Sequence, residues 1–225
     1  MAKGDLFMNL NPQVFDFNDG NGAVPAHHHP NGPGWVADSA YVEEGTFVDG
    51  TAQVCGKAQV QGGASLRQYA QIRGEALVTE MAQVRGHAVI EGQARISGSC
   101  QIFDNARCQD QVQVLGNAMV YGDALIQRQA RFQDNAWVYD RATISEHTVI
   151  AETVRIYGGP FCVKSPKLVA MRRYLVRRFS QENAKYPATP KFLIRLKSLA
   201  PAKSSALRLW RVTPRLLMIQ FCSNN

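Results

Sequence analysis

A parallel β-helix is the fold class this sequence predicts, and three observations carry it. Residues 40–159 divide into 20 six-residue units without an insertion or deletion. The first position is Ala in 15 of those units, and the third is Val, Ile or Leu in 18. Gly or Asp fills the fifth position in 14. Positions one and three lie two apart, so in an extended segment both point inward while position two points out. Gly supplies the positive φ that a tight corner needs, and Asp tolerates it better than most residues. Six residues thus make one short strand and one turn, and such strands bury their apolar side only by stacking coil upon coil.

The elements follow in order. Residues 1–33 hold clusters of Asn, Asp, Gly and Pro and are expected to cap the open edge of the first coil. Residues 34–159 form the coil, with 34–39 a weaker unit ahead of the 20 regular ones. In residues 160–180, Ser165-Pro166-Lys167 reads as a helix start. Leu168, Met171, Leu175 and Phe179 follow at spacings of three and four, which predicts an amphipathic helix with Arg172, Arg173, Arg177 and Arg178 on its other side. Residues 181–225 alternate basic and apolar runs with prolines and read as a weakly ordered tail.

Charge divides the chain at the same place. Residues 1–162 carry 11 Lys and Arg against 17 Asp and Glu, whereas residues 163–225 carry 14 against one, Glu182. The basic end is a candidate for anionic surfaces, either membrane or nucleic acid, although it carries no specific nucleic-acid motif. No stretch reaches the roughly 18 apolar residues of a spanning helix, and the N-terminus lacks the apolar run of a signal peptide. Cys55, Cys100, Cys108, Cys162 and Cys222 show no metal or disulfide spacing. A cytoplasmic chain with reduced thiols is expected.

Strings such as Val120-Tyr121-Gly122-Asp123-Ala124 and the opening stretch Gly34-Trp35-Val36-Ala37-Asp38-Ser39-Ala40 resemble the hexapeptide-repeat proteins. Among these they are most similar to the bacterial transferases of the YdcK-like group. The resemblance implies a single-stranded, left-handed β-helix of about seven triangular coils, with three hexads in each. It also implies acyl transfer from an acyl-CoA donor, a histidine as general base and a trimer with clefts between subunits. The chain departs from the acyltransferase version of the pattern, which places Gly directly after the aliphatic residue and not one position later.

With three hexads per coil, residues 18 apart stack. Two outer faces are mostly polar, one running from Tyr41 and Glu43 and the other from Gln53 and Cys55, whose side chain is expected to point outward. The third stacks Phe103, Tyr121, Tyr139 and Tyr157 beside Met119 and Trp137. These six residues are the candidate interface. They read as a stabilising aromatic ladder, as a self-association surface, as a docking groove for a ligand, or as a seat for the C-terminal helix.

Catalytic candidates are few. Residues 40–159 contain only His87 and His147, both at the sixth position and ten hexads apart. His87 is the candidate base if the chain is an acyltransferase, with Arg85 and Arg67 on the same face to attract an anionic donor. His27, His28 and His29 are consecutive, so they project in different directions, and no metal is expected. No cofactor is expected outside the acyl-CoA alternative. The reading that accounts for the uninterrupted repeat is a scaffold or interaction module.

Overall fold

The computed structural model describes residues 13–151, 153–158, 161–163 and 174–176. Within them the chain is an all-β parallel solenoid of about seven turns, built as three sheets of ten, seven and eight strands. Coils stack at the interval the sequence predicts: Gln53 pairs with Gln71, Leu77 with Arg95 and Gln101 with Met119, each 18 residues on. The sheet begun by Trp35 is face I, that begun by Tyr41 face II, and that begun by Phe47 face III.

The interior is what the repeat dictates. The first-position alanines from Ala52 to Ala142 and the third-position aliphatics from Val48 to Ile156 are buried, none more than 1% exposed. Phe132 is the one aromatic side chain among the third positions and is fully buried. Thr148 at a first position resolves its hydroxyl locally, donating to the Ser145 carbonyl at 2.6 Å.

The fifth position does more than turn the chain. From Gly56 to Glu146 every fifth-position residue has a φ between 57° and 90°, including Gln68, Glu80, Arg128 and Glu146. The amide at this position makes no rung to the coil above, whereas the sixth-position amide does, as Lys57 N does to Gly74 O at 2.7 Å. Where the residue below is Asp, its carboxylate accepts the spare amide: Asp104 Oδ2 from Gly122 N at 3.2 Å, and Asp110 Oδ2 from Arg128 N at 2.9 Å. Asp therefore serves twice at a corner, as a tolerable left-handed residue and as an acceptor.

Residues 13–34 lie against the first coil. Strands β1 (Val14–Asp16), β2 (Ala23–His28) and β3 (Trp35–Ala37) form an antiparallel meander that prolongs face I. Residues 29–34 then run beneath the coil, where Val48 N donates to Asn31 O and Gly34 N to Val48 O, both at 3.1 Å. The lowest edges of faces I and III are thereby paired, which removes a template for further strand addition there.

At the far end the repeat changes. Thr143 pairs with Cys162, 19 residues on, so face I takes up one extra residue after the last hexad. Tyr174–Val176 is a strand paired in parallel with Arg155–Gly158. Tyr-Leu-Val suits a strand at that open edge. The rest of the expected helix, with Arg172, Arg173, Arg177 and Arg178, and the tail 181–225 lie outside the described residues. Among the described residues no helix is long and apolar enough to cross a membrane.

Candidate interaction surface

Face III carries the aromatic column where the 18-residue step places it. Phe103, Tyr121, Tyr139 and Tyr157 stack with ring centroids 4.7, 4.8 and 4.9 Å apart and planes within 4° of parallel. In-register parallel strands repeat at about this interval, so identical side chains one coil apart meet face to face. The guanidinium of Arg85 closes the lower end of the stack, 4.4 Å from the Phe103 ring. In the neighbouring column Arg155 lies 4.1 Å from the Trp137 ring, and Arg67 lies 4.9 Å from Phe47.

This geometry decides what the face offers. Each ring of the column is half-buried because its neighbours cover its faces, and its edge, with the hydroxyl of each tyrosine, is left for whatever lies outside. Burial, then the charge of Asp140, raises the Tyr121 hydroxyl above its ordinary value; for Tyr139 burial is followed by Tyr121 and Tyr157. At neutral pH Tyr121 and Tyr139 are thus neutral donors and acceptors one rung apart, in a column that continues downward to the guanidinium groups of Arg85 and Arg67. Beside Trp137 a groove of about 520 Å³ runs along the coil, its second wall formed by Asn117, Asn135 and Thr153.

The histidines are dispersed. His87 is exposed and stacks on Tyr69, with centroids 4.7 Å apart. Arg85 and Arg67, expected to draw an anion toward it, lie over Phe103 and Phe47. His147 stands at the corner after face I, in a groove with Gln129 and the pair Arg128 Nε–Glu146 Oε1 at 3.6 Å. His27 meets Asp38 Oδ1 at 2.8 Å, His28 donates from Nδ1 to Pro33 O at 2.7 Å and packs on Trp35, and buried His29 accepts from Asn31 N at 3.2 Å. The three point to three separate partners, and among the described residues no group of three or more His, Cys, Asp or Glu could hold a metal ion.

Cys55 corrects an expectation. It lies at an outward position, yet it is 3% exposed, because Phe17 and Ala26 of the N-terminal meander lie over it with Ala37. Burial, reinforced by the charge of Asp19, raises its thiol from 9.0 to about 11, so it is no nucleophile at neutral pH. Between those values the folded state binds more protons than the unfolded one, and stability must fall as pH rises through this window. Cys100, also raised to about 11 by burial, acts in the same direction. We expect urea midpoints to fall between about pH 9 and pH 11, with a flatter slope for Cys55→Ala than for the wild-type chain.

Two features went unread in the sequence. One is the cluster of Phe15, Phe17 and Trp35 under the meander, in which Phe15 stacks on Trp35 at 4.5 Å. The other is an amide ladder at the corner after face I, where Gln129 donates to Gln111 at 3.0 Å and Gln111 to Gln93 at 3.2 Å. The ladder was readable in principle, since those glutamines recur every 18 residues.

No protein-family model matches the chain, and no curated protein does. Among solved structures, an Arabidopsis UDP-N-acetylglucosamine acyltransferase is similar at 10% identity, over 67% of this chain and 70% of that one, with a TM-score of 0.20. A likeness that slight transfers neither residue roles nor activity.

Proposed function

We propose that this chain is a non-catalytic β-helical scaffold whose aromatic face is its interaction surface, a left-handed member of the hexapeptide-repeat kind akin to the YdcK-like group. The observation that carries the reading is face III itself: an unbroken run of rungs that aligns four aromatic rings and holds the hydroxyl edges of the three tyrosines at one repeat. Self-association, or seating of the basic C-terminal segment, would occupy that face, and the same segment would supply contact with an anionic surface. Against acyl transfer stand the 18-residue register, which leaves no extruded loop between Trp35 and Ile156, and the separation of His87 from His147.

The reading is tested by thermal unfolding with acetyl-CoA. A donor present at a hundred times its Kd would add about 2.7 kcal/mol. For a chain of this size that raises Tm by roughly 5–10 °C. We expect no shift at millimolar acetyl-CoA, and a shift of that size would overturn the scaffold reading.

A further inference from the structure

We propose that the partner of face III is a second copy of this chain, lying antiparallel, with the two-fold axis at the level of Phe103. The inference rests on the reading of face III as an interaction surface and adds the identity, direction and register of its occupant.

The first argument is periodicity. The rings of the column repeat at 4.7 to 4.9 Å. A partner with another repeat falls out of step within a few rungs, whereas a second copy keeps step along the whole face. The second argument is the order of residues in the column. From bottom to top the fourth positions of face III read Asp49, Arg67, Arg85, Phe103, Tyr121, Tyr139 and Tyr157, with Phe103 at the centre. Packed sheets related by an antiparallel two-fold axis set each column against itself in reverse. Arg85 then faces the Tyr121 of the other copy, Arg67 faces Tyr139, and Asp49 faces Tyr157. Guanidinium N–H groups donate to phenol oxygens at two rungs, the Tyr157 hydroxyl donates to a carboxylate at the third, and Phe103 meets Phe103.

Charge excludes the parallel arrangement. Among the second and fourth positions of face III the charged side chains are Asp49, Arg67, Arg85 and Arg155. An axis along the coil would keep equal rungs together, crowding two copies of Arg67 and Arg85 where no carboxylate faces them. The antiparallel axis separates these arginines and brings Asp49 of each copy diagonally toward Arg155 of the other. Like charges placed together cost free energy and select against the wrong register.

The test uses the full chain. Light scattering should give a dimer, and Phe103→Arg, which sets two guanidinium groups against each other on the axis, should give a monomer with unchanged circular dichroism. Face-to-face sheets stand about 10 Å apart, so a bis-maleimide of that span reads the register independently of folding effects. Measured above the wild-type background, Phe103→Cys should link to itself and Tyr139→Cys should not, whereas Tyr139→Cys mixed with Arg67→Cys should link. Self-linking of Tyr139→Cys, a trimer mass, or a dimer that survives Phe103→Arg would overturn the antiparallel register while leaving face III available as an interaction surface. A monomeric full chain would overturn the self-association itself.

Discussion

Replacing Phe132 by alanine should destabilise the solenoid by about 3–5 kcal/mol, the range for removing a buried aromatic ring from a well-packed core. Phe132 is fully buried at a third position, stacked between Val114 below and Ile150 above. Its coil-mates at that position are Ile126 and Val138, so the ring is the largest body in a bore otherwise filled by aliphatic side chains. In the coil below, the corresponding position of face I is Cys108, among the smallest third-position residues in the chain. Alanine would leave a hole that strand pairing on all three faces keeps from collapsing. Urea unfolding followed by circular dichroism measures the loss; a cost below about 1 kcal/mol would show that the bore closes around the vacancy.

Gly98→Val should be nearly as damaging, for a backbone reason. Gly98 has a φ of 90°, the largest of the fifth-position residues between Gly56 and Glu146. A Cβ built there would lie 2.4 Å from the Gly116 carbonyl oxygen of the next coil, a backbone atom that cannot turn aside. Strain at such a φ costs roughly 1–3 kcal/mol before any overlap is counted, and a β-branched residue makes it worse. The comparison within the chain is Asp104, which occupies the same hexad position at a φ of 59° and accepts an amide from the coil above. Gly98→Asp should therefore cost less than Gly98→Val. Equal midpoints for the two variants in urea would sink the explanation.

Much of the molecule was legible because a solenoid is nearly one-dimensional. Reading residues 18 apart placed Tyr121 over Phe103 and Tyr139 over Tyr121, and the stacked rings lie there. What failed was the step from an outward position to an exposed side chain. Cys55 points away from the bore, and its burial depends on Phe17, 38 residues earlier and outside the repeat. Arg67 and Arg85 show the same limit at the candidate site, since the rings they cover are apparent only once the side chains are placed.

By itself, then, the sequence determined the coil: the strand, the turn, the 18-residue register, the buried ladder of Ala, Val and Ile, and the face on which the aromatics align. Those properties repeat with every hexad, and a preference expressed twenty times at one spacing admits a single stacking. Tertiary structure alone decided what touches the coil from outside, which burial it imposes on Cys55, and which way the side chains of face III lean. Such contacts join segments that share no period, so their energy comes from shape and burial between distant parts of the chain and leaves no repeating mark in the sequence.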